Sequence, residues 1–123
     1  MAKKLSTLLL VVIISVVFGL LFSVEGGLDN PPILNPVGNQ IVNESETLTI
    51  QLTASDADSD TLIFRTNALS VLPSPFFFNE SSGLFEWTPT FNDADEYSLT
   101  FNVTDGILSD EEIILITVVN VPQ

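Results

Sequence analysis

Two stretches of this chain alternate strictly between apolar and polar residues. In residues 47–55 the apolar positions are Leu48, Ile50, Leu52 and Ala54; in residues 97–104 they are Tyr97, Leu99, Phe101 and Val103. A period of two places successive side chains on opposite faces of the chain, so both stretches read as half-buried β-strands. Acids bracket each of them. Glu44 precedes the first, and Asp56 and Asp58 follow it; Asp93 and Asp95 precede the second, and Asp105 follows it. Glu44 to Asp56 and Asp93 to Asp105 each span twelve steps, about 40 Å of extended chain at roughly 3.3 Å per residue. Two strands of equal length with acid at both ends collect carboxylates at two opposite poles of a small β domain. Clustered oxygen donors with hardly a cation nearby suit a hard divalent ion such as calcium.

The rest of the pattern is also β. Short apolar runs at 40–42, 61–66, 76–79, 84–87 and 112–119 are separated by turn chemistry at Asp58-Ser59-Asp60, Pro73-Ser74-Pro75, Ser81-Ser82-Gly83, Pro89 and Asp105-Gly106. Seven strands in this length predict an all-β, seven-stranded immunoglobulin-like sandwich. Leu48, Ile50 and Leu52 should face Tyr97, Leu99 and Phe101 across it. Leu62, Phe64, Phe85, Trp87, Ile114, Ile116 and Val118 should fill between. The last run is apolar on both faces, with Ile113, Ile114, Leu115 and Ile116 in succession. Read as an edge strand, its outer face invites pairing with a neighbour.

The N-terminus stands apart from this pattern. Lys3 and Lys4 precede seventeen uncharged residues, 8–24, and then Glu25-Gly26. This reads as a secretory signal cleaved after Gly26, or as an N-terminal membrane anchor at the lower limit of length. Residues 1–26 are thus signal or anchor, 27–39 a Pro- and Asn-rich entry linker, and 40–121 the sandwich. Either way the domain is expected outside the cell, secreted or held at its surface.

Composition narrows the function. Of the sixteen acids all but Glu25 lie beyond the signal, against one basic residue, Arg65, giving that part a side-chain charge of −14. There is no cationic surface to neutralise phosphates, which excludes nucleic acid as a partner. Contact with membrane is expected only through the N-terminal segment. Such self-repulsion needs relief by salt or bound cations. Both specific divalent sites and a general high-salt acidity satisfy that need, and the spacing of the acids favours the first. No His or Cys is present, so there is no imidazole base, thiol nucleophile or disulfide staple, and an enzyme is not expected. Three sequons, Asn43-Glu44-Ser45, Asn79-Glu80-Ser81 and Asn102-Val103-Thr104, accord with export.

Ser55-Asp56-Ala57-Asp58-Ser59 resembles the calcium motif of cadherin repeats. Asp29-Asn30-Pro31-Pro32 resembles the end of their linker, Val42-Asn43-Glu44 their early glutamate motif, and Val103-Thr104-Asp105-Gly106 their late aspartate motif. Ser82-Gly83-Leu84-Phe85-Glu86-Trp87-Thr88-Pro89 followed by Tyr97 is similar to the dystroglycan-type cadherin-like and immunoglobulin-like domains of microbial surface proteins. The resemblance spans residues 29–121. It implies calcium at the N-terminal pole on Asp56, Asp58, Asp105, Asp29 and Asn30. At the C-terminal pole it implies Glu44, with Asp93 or Asp95, completed by a following linker. The chain departs from the pattern where the entry linker lacks upstream acids and where nothing after Asp58 matches the asparagine ligand.

The expected function is a non-catalytic extracellular calcium-binding module for surface adhesion or structural spacing, its partners being the calcium ion and neighbouring extracellular repeats or surface proteins. The alternatives are a metal-free immunoglobulin-like repeat and a carbohydrate- or ligand-binding sandwich. The last would need exposed aromatics, for which Phe77 is the candidate in Phe76-Phe77-Phe78.

Overall fold

The computed structural model describes residues 28–123; the expected signal or anchor, residues 1–26, lies outside them. Among the described residues no helix is long and apolar enough to cross a membrane. The chain runs through β1 (Ile33–Leu34), β2 (Gln40–Asn43), β3 (Leu48–Gln51), β4 (Ala54–Ser55), β5 (Ile63–Thr66), α1 (Ala68–Val71), β6 (Phe76–Phe78), β7 (Leu84–Trp87), β8 (Glu96–Thr104) and β9 (Ser109–Val119). A four-stranded sheet in the order β2-β9-β8-β5 packs on a three-stranded sheet in the order β3-β7-β6, with β1 and β4 paired beside them. The architecture is an immunoglobulin- and cadherin-like β-sandwich.

Alternation decides the core. Leu48 and Ile50 of β3 lie in one sheet, Leu99, Phe101 and Val103 of β8 in the other, and all are buried. Phe85 and Phe101 meet edge to face across the layers with ring centres 5.5 Å apart. Ile114, Ile116 and Val118 come from β9, and Phe64, Phe85 and Trp87 complete the interior. Leu34, Val42 and Ala68 are buried as well. Tyr97 and Leu62 pack on the core only partly buried. The Tyr97 hydroxyl donates to the Asp93 carbonyl at 2.8 Å, which keeps that end of the ring at the rim.

Several differences from the sequence expectation have physical causes. Among the described residues there are nine strands where seven were expected, because short pairings at 33–34 and 54–55 add to the two main sheets. The stretch 47–55 is not one strand: its pairing with β7 ends at Leu52, whose N–H bonds the Gly83 carbonyl at 2.9 Å in the same register, and it resumes as β4 against β1. The last strand is central rather than an edge, because β2 adds parallel to β9 on the side away from β8. Its outward Ile113 is still 65% exposed. Finally α1 is a single turn, too short to show helical periodicity. Part of the expected entry linker is structural, since Ile33 and Leu34 pair with Ser55 and Ala54.

Candidate metal centre

Two loops and the entry segment converge at one pole. The first loop, 56–60, folds on Asp56: its Oδ1 accepts the Asp58 N–H at 2.7 Å and the Asp60 N–H at 3.3 Å. Between them Ser59 takes φ 61°, the left-handed region. The second is the β8–β9 turn, where Asp105 Oδ1 accepts the Ile107 and Leu108 N–H groups, both at 2.7 Å. The entry segment docks on the first loop, the Asn30 N–H reaching Asp58 Oδ2 at 2.7 Å and its side-chain amide reaching Asp58 Oδ1 at 3.3 Å.

This brings together the residues expected at the N-terminal pole and adds one that was read only as turn chemistry, Asp60. Carboxylate oxygens of Asp29, Asp58 and Asp60 lie within 4.8 Å of one another, and so do those of Asp56, Asp60 and Asp105. Asp60 belongs to both trios. Its signal was present in the even spacing of acids at 56, 58 and 60. Two oxygens on opposite sides of a calcium ion stand about 4.6–5.2 Å apart at Ca–O distances of 2.3–2.6 Å. The trios therefore fit that ion. Asp56 Oδ2 and Asp105 Oδ2 are buried and have no hydrogen-bond partner, a costly state for a carboxylate oxygen unless a cation completes it.

The electrostatics agree with that geometry. Desolvation, then repulsion from Asp105, Asp58 and Asp60, pushes the Asp29 carboxyl above its ordinary value. Desolvation and then Asp56, Asp58 and Asp105 push Asp60 up in the same direction. Asp58 is held low by the Asn30 main-chain and side-chain N–H donors. The pole thus carries charge that its own neighbours oppose.

The acids of the other pole are placed differently. Glu44 is buried at 2% exposure; its Oε2 accepts the Val121 N–H at 2.8 Å, while Oε1 is buried without a partner. Asp93 is also buried, but its Oδ2 is engaged by the Ser74 hydroxyl at 2.8 Å and the Thr90 N–H at 2.7 Å. Burial raises its pKa, yet those donors outweigh burial and hold the group below its ordinary value. Asp95 Oδ1 accepts the N–H of the adjacent Glu96. Among the described residues no trio of carboxylates includes Glu44, Asp93 or Asp95. Phe77 points outward at 49% exposure opposite Glu86, while Phe76 stacks on Phe85 and Phe78 tilts against Phe101.

A family model decides the kinship, matching residues 31–119 with the description Putative Ig domain. The chain belongs to the He_PIG family. Solved structures similar to this Ig domain include Drosophila N-cadherin EC1-4, at 17% identity and TM-score 0.61, over 74% of this chain and 25% of that one. Human protocadherin-24 EC1-2 has 17% identity and TM-score 0.57, over 75% and 44%. An endo-fucoidan hydrolase of glycoside hydrolase family 107 has 28% identity and TM-score 0.57, over 78% and 15%. The Ig domain therefore spans less than half of each of these chains. No curated protein matches the sequence.

Proposed function

We propose that this chain is an extracellular, non-catalytic, calcium-binding cadherin-like module for cell-surface adhesion or structural spacing, exported by residues 1–26. The observation that carries the reading is the pair of trios sharing Asp60, with Asp56 Oδ2 and Asp105 Oδ2 buried and unpartnered. Asp29, Asp56, Asp58, Asp60 and Asp105 would hold the ion, beside Asn30. Bound there, calcium supplies positive charge to a pole of like charges. The protein's own part is to bring the entry segment, the 56–60 loop and the β8–β9 turn within reach of one another, so that binding ties the linker to the domain. Glu44, with an open Oε1 beside the exit segment, is the candidate for a contact shared with a neighbouring extracellular repeat.

Calorimetric titration of the chain with calcium tests this, with a Kd on the order of 10⁻⁴–10⁻³ M expected for an extracellular module. No heat of binding, together with a melting temperature raised equally by calcium and by sodium chloride of matched ionic strength, would replace specific sites with general acidity.

A further inference from the structure

We infer that Asn79 is an N-glycosylation site and that its first sugar lies against the exposed ring of Phe77. The inference rests on the export read above, through which the chain meets a glycosyl transferase, and on nothing in the metal centre.

Three sequons compete for the role, and the fold separates them. Asn102 sits half-buried in the middle of β8, paired with Arg65 on one side and Glu111 on the other. The hydroxyl of its sequon is committed as well. Thr104 Oγ1 donates to the Leu108 carbonyl at 2.8 Å and accepts the Gly106 N–H at 3.0 Å. A transferase reads that triplet only if a central strand leaves its sheet. Asn43 closes β2 opposite Val119, its Nδ2 donates to Glu46 Oε2 at 3.2 Å, and its sequon runs through the buried Glu44.

Asn79 differs on each count. It opens the turn between β6 and β7, where residues 79–82 are all exposed, the surface setting that a bulky glycan needs. Its Oδ1 accepts the Ser81 and Ser82 N–H groups, both at 2.9 Å, a local turn that Asn side chains favour. Two N–H donors require the oxygen on that side, so the amide NH2 faces away from the turn. Among the described residues neither that NH2 nor the Ser81 hydroxyl donates a hydrogen bond within the fold. The hairpin is held by main chain instead: the Asn79 N–H bonds the Leu84 carbonyl at 2.9 Å and the Gly83 N–H bonds the Asn79 carbonyl at 2.8 Å. The triplet is presented with no strand to break.

Phe77 is the second observation. Phe76 and Phe78 turn inward onto Phe85 and Phe101, while Phe77 turns outward and is 49% exposed. Alternation brings Asn79 out on the face of Phe77, about 7 Å further along the strand at roughly 3.3 Å per residue. That is within reach of the first sugar. A pyranose has a face of C–H bonds, and the face of an aromatic ring is its negative side. A sugar on Asn79 therefore covers a large apolar ring that the fold leaves in water.

The donor is a lipid-phosphate-linked oligosaccharide. A bond forms between Nδ2 and the anomeric carbon of the sugar, and the bond from that carbon to the phosphate oxygen breaks. The lipid phosphate leaves with the electron pair. Nδ2 gives one proton to a base of the transferase and keeps the other. Oδ1 takes no part in bond making, so the turn survives the modification.

The test supplies the purified, folded full chain to a single-subunit oligosaccharyltransferase with a lipid-linked oligosaccharide and locates the product by peptide mass mapping. Because the chain is supplied directly, a failure of export, read separately from recovery in the medium of a secreting host, leaves this result standing. Transfer to Asn79 alone is expected. It should be lost in Ser81→Ala, which removes the sequon hydroxyl and keeps the Ser81 N–H bonded to Asn79. Transfer to Asn43 or Asn102 with Asn79 empty overturns the site, as does no transfer under conditions that modify a free peptide of residues 76–84. The seat of the sugar is read from melting temperatures with and without the glycan. The glycan should raise the native value by a few degrees and leave Phe77→Ala unchanged, a comparison within each variant that cancels the effect of the substitution itself. An equal rise in both overturns the contact with Phe77.

Discussion

Asp56 and Asp105 divide their carboxylates in the same way: one oxygen closes its own loop with two main-chain N–H bonds, and the other is buried with no partner. The shared division separates building the loop from holding a cation. Asparagine keeps an Oδ1 acceptor for the loop and removes the charge. Asp56→Asn and Asp105→Asn should therefore leave the cation-free melting temperature unchanged or higher, since repulsion at the pole falls. Calcium at millimolar level should stabilise the native protein by about 0.5–1.5 kcal/mol per site, several degrees for a domain of this size. Thermal unfolding with and without calcium at fixed ionic strength should show that rise lost in both variants. A rise that persists in both would remove Asp56 and Asp105 from the site.

The pole also predicts an unusual dependence on pH. Asp29 and Asp60 have raised pKa values in the folded state, so they hold protons more tightly folded than unfolded. Their contribution is fully present below the unfolded value of 3.8 and is lost as pH rises through the raised values. Asp58 and Asp93 have lowered values, and their contribution is lost only as pH falls through those. Without calcium, stability should thus increase on acidification from neutrality toward the ordinary carboxylate range and fall again below it. With calcium the gain should reverse, because protons compete with the ion at Asp29 and Asp60. Melting curves across that range, with calcium and with chelator, should converge as the pH drops. Parallel curves would place binding away from these two groups.

Much of the fold was legible because the interior strands obey a period of two. Leu99, Phe101 and Val103 are all fully buried, as their alternation requires. Connections outside local periodicity were not legible. Nothing in residues 47–55 signals that the pairing with β7 ends at Leu52 and that Ala54 and Ser55 pair instead with Leu34 and Ile33, about twenty residues earlier in the chain. The parallel pairing of β2 with β9 joins distant segments, and it turned an apparent edge into a central strand. The N-terminal pole was readable from its short acidic motifs. Asp60 continues the even spacing of Asp56 and Asp58, but Asp58-Ser59-Asp60 is equally turn chemistry, and the folded loop is what places its carboxylate in both trios. Asp93 shows the converse: its bonds to Ser74 and Thr90 come from neighbours that spacing does not reveal.

Ser74 links that buried acid to the only tryptophan. Its Oγ accepts the Trp87 Nε1–H at 2.9 Å and donates to Asp93 Oδ2 at 2.8 Å. Ser74→Ala leaves the buried indole N–H without its partner, at a cost of about 1–3 kcal/mol. It also removes one of the two donors to Asp93 Oδ2, which keeps the Thr90 N–H. The variant should melt well below the native protein at neutral pH. Its acid-unfolding midpoint should also move to higher pH, because one of the donors that holds Asp93 low is gone. Chemical denaturation followed by tryptophan fluorescence, repeated down the pH scale, reads both effects. A stability loss with no change in acid midpoint would mean that the Thr90 N–H alone sets the carboxylate's charge.

Gly83 is the position where the two sheets leave no room for a side chain. Its φ of 75° is one that L-residues adopt only at a cost, and a Cβ there would stand 2.9 Å from the Leu52 carbonyl oxygen and 3.1 Å from the Phe64 ring. The first of these is main chain and cannot swing aside. The same Leu52 bonds the Gly83 carbonyl through its N–H, so relief of the clash must weaken the contact that carries the chain from β3 to β4. Gly83→Ala combines left-handed strain, on the order of 1 kcal/mol, with overpacking of about 1–3 kcal/mol. A loss of roughly 2–4 kcal/mol in urea-induced unfolding is expected from those two terms together. Gly38→Ala is the matched control, because Gly38 has a φ of 77° but nothing within 4 Å of the added Cβ. It should lose only the strain. Equal losses at both positions would show that backbone conformation alone, and not the approach of Leu52, fixes glycine at 83.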